Sequence, residues 1–114
     1  MSFITKDTIY LAPLRGITDL AFRTVYEQTF GTFDKLLLPF VATVKGKKVR
    51  LSHLKDISPS ENDRERVIPQ VIGNDPEGIL LFDTACSDLG YREINWNLGC
   101  PAPMVAKKAR GSGL

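Results

Sequence analysis

Thr8-Ile9-Tyr10-Leu11-Ala12-Pro13-Leu14-Arg15-Gly16-Ile17-Thr18-Asp19-Leu20 is the stretch from which the fold can be read. Thr8 to Ala12 is short, β-branched and apolar, and it stops at Pro13, so it reads as a buried strand. Thr18 or Asp19 then supplies a cap for a helix running to about Phe30. Leu20, Phe22, Val25, Tyr26 and Phe30 form its apolar face and Gly31 its stop. The same unit recurs down the chain. Lys35 to Val44 carries a second strand, Leu36-Leu37-Leu38, with a bend expected at Pro39. Val67 to Ile72 is a third. Asp75 and Pro76 open the next helix with a cap and a proline in its first turn, and Ile79, Leu80, Phe82, Asp83, Cys86 and Leu89 carry it to Gly90. Glu93 to Asn97 is the fourth strand. Between the second and third, residues 45–66 are polar and irregular, and Ser58-Pro59-Ser60 and Glu61-Asn62-Asp63 read as loop and turn rather than packed structure. Strands alternating with helices imply an α/β fold with a parallel sheet, either doubly wound or closed as a barrel.

Composition bounds the answer without choosing it. At 114 residues with 43% hydrophobic and 25% charged side chains, the chain suits one soluble globular domain and excludes intrinsic disorder. A net charge of +2 is too near neutral to argue nucleic-acid binding by itself, because that signature is a concentrated basic face. The two cysteines, Cys86 and Cys100, show neither metal-ligand spacing nor a disulfide framework, so no metal is expected and a reducing, cytoplasmic location is. Lys6 and Asp7 interrupt any export-signal core, and no segment approaches the roughly 20 apolar residues that cross a bilayer, so no membrane association is expected.

Glu93-Ile94-Asn95-Trp96-Asn97-Leu98-Gly99-Cys100-Pro101 concentrates the candidate chemistry. Gly99 and Pro101 forbid regular strand or helix, which leaves the thiol of Cys100 on a loop. A lone cysteine is commonly a small buried hydrophobe; a loop thiol beside an amide at Asn97 is also placed to react. Pro13, Gln70 and Asn97 with Cys100 all fall at or just beyond the carboxyl ends of expected strands, where parallel α/β proteins bind their ligands. The G-x-G-x-x-G fingerprint is missing after the first strand, which weighs against a dinucleotide-binding doubly wound domain.

The run E-I-N-x-N-x-G-C-P, followed by Lys107, Lys108 and Gly111-Ser112-Gly113-Leu114, resembles the central signature of the tRNA-dihydrouridine synthases. Leu11 to Asp19 with Phe22 and Arg23 is similar to that family's first strand and flavin-contacting turn. Pro69-Gln70-Val71-Ile72-Gly73-Asn74-Asp75-Pro76 is similar to its third strand and following turn. Leu14 stands where methionine is usual, an apolar exchange of similar volume. The resemblance covers nearly the whole chain and implies a flavin-binding (β/α)₈ TIM barrel. About 250 residues make such a barrel, so residues 1–114 are expected to be its N-terminal part, roughly the first half, truncated before the later strands. Open sheet edges and unburied apolar faces would follow.

The activity implied by the resemblance is reduction of uridine to dihydrouridine in tRNA, with FMN as cofactor and NADPH as reductant. Cys100 would be the proton donor, Asn97 would hold the uracil edge, and Asn95 would serve base or flavin. Gln70 would meet the flavin ring edge, or else plug the barrel interior. Pro13, Leu14 and Arg15 would lie along the flavin, with Arg15 limited to backbone contact or facing RNA phosphate. Lys107 and Lys108, with Arg110, would neutralise tRNA phosphate. The other basic cluster, Lys45, Lys47, Lys48, Arg50, His53 and Lys55, reads as a solvated face, with His53 a surface histidine. No obligate protein partner is evident. The competing readings are a flavin barrel acting on free pyrimidines, like dihydroorotate dehydrogenase, and an inactive partial barrel.

Overall fold

Pro39 and Pro69 shape the sheet. A computed structural model describes residues 7–46, 51–58 and 60–114. It contains β1 (Tyr10–Leu11), α1 (Leu20–Phe30), β2 (Lys35–Leu37), β3 (Val41–Ala42), a 3₁₀ helix (Leu51–Ile57), β4 (Val67–Ile68), β5 (Gln70–Ile72), α2 (Pro76–Asp88), β6 (Asn95–Trp96), α3 (Pro103–Ala106) and a closing 3₁₀ turn (Gly111–Gly113). Every strand pairing is parallel, in the orders β1-β2-β4 and β3-β5-β6. The expected second and third strands are each split by their proline, which has no N–H for the ladder. Leu38 N–H still donates to the carbonyl of Ile68 at 3.0 Å and joins the halves. Successive strands therefore neighbour one another in chain order with no reversal. That arrangement is compatible with a section of a barrel, whereas a doubly wound sheet reverses its order at a switch point.

Register reveals one further effect of Pro39. Leu37 pairs with Ile68 and Val41 with Val71, so one strand advances four residues while its neighbour advances three. Residues 38–40 thus hold a β-bulge, which resets the alternation of side chains. Leu36, Leu38, Val67 and Val71 pack with Ile57, Phe82, Cys86 and Tyr91 in the core between sheet and helices. Ile68, Gln70 and Ile72 alternate onto the opposite face, and Asn95, the register partner of Gln70, joins them there.

The helices obey their caps better than their expected faces. Asp19, not Thr18, caps α1, accepting from Phe22 N–H at 2.9 Å; Thr18 instead turns its hydroxyl back to Leu14. Asp75 caps α2 from Gly78 N–H, with Pro76 in the first turn. On α2, Phe82 and Cys86 are buried as the spacing predicts, while Leu80 faces out. On α1 the expectation is reversed. Its buried residue is Arg23, 2% exposed, while Phe22, Val25 and Phe30 stand exposed, Phe30 at 74%. Tyr26 meets the rings of Phe22 and Phe30 on this helix, the second at a tilt, and stacks on Phe33, which packs against the core. The first strand, expected to be buried, leaves Ile9 and Tyr10 exposed, because among the described residues nothing pairs on its outer side.

Arg23 also corrects the reading of Glu61-Asn62-Asp63 as unpacked: the stretch is turn and bend, yet Asn62 is tied to the guanidinium. That guanidinium donates to the carbonyl of Thr18 (2.9 Å), to both the carboxylate (2.8 Å) and the carbonyl (3.1 Å) of Asp56, and to Asn62 Oδ1 (3.0 Å). Asp56 also accepts from the Leu20 N–H at the start of α1. Leu54 and Ile57 reach the core. The segment is polar because its side chains serve a buried cation, and a buried charge is tolerated only when it is paired and hydrogen-bonded.

At the carboxyl ends of the split strands, Thr43 is wedged between Gly73 and Gly78. A Cβ on Gly73 would overlap Thr43 Oγ1, and one on Gly78 would lie 2.9 Å from Thr43 Cβ. Thr43 is β-branched and stiff, so it cannot swing aside. Gly73→Ala is accordingly expected to lower stability by about 1–3 kcal/mol. Adding Thr43→Ala should recover part of that loss; equal urea midpoints for the wild type and Gly73→Ala would contradict the packing.

Candidate functional site

Three amides on one sheet face lead to the thiol. Gln70 Nε2 donates to Asn95 Oδ1 at 2.7 Å, and Gln70 Oε1 accepts from Asn97 Nδ2 at 3.2 Å. Asn97 Oδ1 then accepts from the N–H groups of both Gly99 and Cys100 at 3.0 Å. This turn closes the loop after β6 and sets where Cys100 begins. From the other side, Ser112 N–H donates to the Cys100 carbonyl at 3.0 Å. Gly111, with φ of +55°, packs against Cys100 so closely that a Cβ would lie 2.6 Å from its carbonyl oxygen. Cys100 is half-buried, and its thiol is free.

The turn after β1 is built by Thr18. Its hydroxyl accepts from Leu14 N–H at 2.9 Å, the Ile17 and Thr18 N–H groups donate to the Leu14 carbonyl, and Gly16 takes the positive φ of 77° that the turn needs. Leu14 and Ile17 consequently point outward, Leu14 at 53% exposure. Arg15 lies over the Phe40 ring, 5.3 Å from its centroid, an exposed cation–π contact beside the bulge.

Sequence reasoning missed the cross-links that tie the C-terminal segment to the strand ends. Arg110 donates to the Thr43 carbonyl at 2.7 Å, Asn74 to the Lys108 carbonyl at 3.2 Å, and the Trp96 indole to the Gly73 carbonyl at 3.1 Å. The glycines at 73 and 111 were the only hint, since each marks a close backbone approach. Lys107 and Lys108 are exposed beside this segment, while Arg110, grouped with them, is partly buried and engaged on Thr43. Lys47, Lys48 and Arg50 and the side chain of His53 lie outside the described residues; Lys45 and Lys55 are exposed. Among the described residues no group of three or more His, Cys, Asp or Glu is placed to hold a metal, and no helix is long and apolar enough to cross a membrane.

The two thiols occupy opposite environments. Cys86 is enclosed in the core, and burial, helped by the nearby Asp83 charge, pushes it from 9.0 up to about 12. Burial likewise raises Tyr91 from 10.0 to about 12, its hydroxyl donating to the Ile57 carbonyl. Both folded values lie above the ordinary ones, so their contribution to stability is complete below about pH 9 and is lost as pH rises toward 12. Denaturant midpoints should therefore fall across that window, and Cys86→Ala should flatten part of the fall. An unchanged slope in the variant would show that Cys86 ionises freely in the fold.

The family model described as dihydrouridine synthase (Dus) matches residues 10–114. A probable tRNA-dihydrouridine synthase of Staphylococcus epidermidis is 28% identical over 114 residues, covering 99% of this chain and 35% of that protein. tRNA-dihydrouridine synthase B of Pasteurella multocida is 31% identical, covering 99% of this chain and 33% of its own. A probable tRNA-dihydrouridine synthase 2 of Bacillus subtilis is 30% identical over 91% of this chain and 32% of its own. The chain thus spans about a third of the length of these curated relatives.

Proposed function

Because the chain belongs to the dihydrouridine synthase family, we propose that it forms the first part of an FMN-dependent (β/α)₈ barrel that reduces uridine in tRNA to 5,6-dihydrouridine, with NADPH as reductant. The observation that carries this reading is a free thiol beyond β6, held by its backbone on both sides and joined through Asn97, just past β6, to the side chains of Gln70 and Asn95, which open β5 and β6 on one sheet face. Strand order without reversal supports the barrel.

The residues fit a planar heteroaromatic cofactor. Gln70 keeps one N–H and one lone pair beyond its bonds to Asn95 and Asn97, and Asn95 keeps its whole NH₂ group. Leu14 with Pro13 and Arg15 gives an apolar wall with backbone groups after β1, two strand spacings away, roughly 10 Å. These four, Pro13, Leu14, Arg15 and Gln70, would hold the flavin. Reduced flavin, when bound, supplies hydride to carbon 6 of the base. Cys100 is the group that would give carbon 5 its proton. Asn97 has one N–H left for a uracil carbonyl once its oxygen is engaged by the loop, and Asn95 offers a second amide on the same face. Lys107 and Lys108 would meet tRNA phosphates.

The same reading makes the protein cytoplasmic, with tRNA as its partner. The intact protein, given FMN, NADPH and tRNA lacking the modification, should convert uridine to dihydrouridine, counted by mass spectrometry of nucleosides. A colourless protein that leaves the tRNA unchanged would refute the proposal.

A further inference from the structure

We propose that Gln70 is a positioning residue for Cys100, acting through the side chain of Asn97 rather than by touching the thiol. The inference rests on the reading of Cys100 as the proton donor and concerns how the fold holds it. Gln70 is 5% exposed, 27 residues away in sequence from Asn97 and on the neighbouring strand. Each amide has one donor end and one acceptor end, so the orientations interlock. With Gln70 Nε2 on Asn95 Oδ1, Gln70 presents its oxygen to Asn97; Asn97 must answer with Nδ2, and its own oxygen then faces the N–H groups of Gly99 and Cys100. Were Asn97 turned over, two oxygens would oppose each other at Gln70 and an NH₂ group would oppose two backbone N–H groups in the loop.

On its amino side the loop is anchored at Asn97, whose N–H donates to the Val71 carbonyl at 2.9 Å, and the residues between there and Cys100 have few other contacts. Leu98 is exposed, and a Cβ on Gly99 would have nothing within 4 Å. The carboxyl side of Cys100 is fixed separately by Ser112. Gln70 therefore decides one of the two attachments that aim the sulfur. The relay uses only one valence at each end of its amide and leaves the others for a ligand.

The test uses this chain with Cys86→Ala, so that Cys100 is its one thiol, and compares Gln70→Met with Gln70→Glu. Methionine keeps the volume but removes the acceptor. Glutamate keeps an oxygen for Asn97, and Asn95 can turn its NH₂ group to the other oxygen. Gln70→Met should speed amide hydrogen exchange of Gly99 and Cys100 by about two- to tenfold, the worth of one hydrogen bond. It should leave the amides of Val71 and Phe82 unchanged, alter the rate of Cys100 alkylation by iodoacetamide, and be reversed in Gln70→Glu. If Gln70→Met folds poorly, Gln70→Asn, one methylene too short to reach both partners, should free the same two amides. Unchanged exchange at Gly99 and Cys100, or a rise shared equally by the core amides, overturns the proposal. Loss of uridine reduction in Cys100→Ala together with unaltered exchange in Gln70→Met would refute the relay alone. Altered exchange with full activity in Cys100→Ala would uphold the relay and discard the thiol as acid.

Discussion

With Cys100 in the proposed role of proton donor, its replacement by alanine in the intact protein is expected to lower dihydrouridine formation by about 10²–10⁴-fold, the usual contribution of a positioned general acid. The Asn97 and Ser112 bonds hold the backbone of residue 100 from both sides and do not involve the side chain, so the loop should keep its shape in the variant. Flavin should consequently remain bound and the protein stay yellow while turnover is lost. Cys86→Ala is the matched control. That thiol lies in the core and is held protonated up to about pH 12, so its removal should alter stability and not turnover. Equal turnover in Cys100→Ala and wild type would leave the protonation step without a donor in this segment.

The second large effect concerns stability. Arg23→Ala is expected to destabilise the fold by about 3–5 kcal/mol, because it removes one partner of a buried pair and leaves the others without their donor. The value should fall toward the lower end, since the Asp56 side chain is 33% exposed and water can partly replace the guanidinium. Four acceptor atoms lose a bond at once: the carbonyl of Thr18, Asp56 Oδ2 and Asn62 Oδ1 lose their guanidinium donor, and the Asp56 carbonyl keeps only its bond from Asn62 Nδ2. Arg23→Lys should recover little, because an ammonium presents no planar fork to reach partners on opposite sides. Asp56→Ala should also destabilise, and the double variant should cost less than the sum of the two singles, since both delete the same ion pair. Urea midpoints measure all four proteins. Strict additivity of Arg23→Ala and Asp56→Ala would show that the pair is not coupled.

Much of this arrangement is legible in the chain. Pro13, Pro39 and the Asp75-Pro76 start mark element ends because proline fixes φ and lacks a donor, and those signals act locally whatever packs around them. Gly99 and Pro101 likewise put Cys100 on a loop. The reading failed where a residue's partner is remote. Pattern alone assigns Phe22, Val25 and Phe30 to a buried face, yet Asp56 and Asn62, more than thirty residues on from Arg23, draw the arginine inward instead. Glu61-Asn62-Asp63 reads as unpacked turn because polarity in sequence does not distinguish a side chain that meets water from one that meets a buried cation.

The candidate site divides in the same way. The residue types at 70, 95, 97 and 100, the place of Asn97 and Cys100 beyond a strand and the parallel α/β class follow from sequence, because alternation and chain-breaking residues are properties of neighbouring positions; Gln70, expected at the carboxyl end of its strand, instead opens β5. Which atom of each amide faces which partner, the bulge at residues 38–40, and the holding of Cys100 between Asn97 and Ser112 were decided only by tertiary structure. Those features are relations between strands and segments far apart in the chain, and a hydrogen bond's direction is set only when both of its ends are in place.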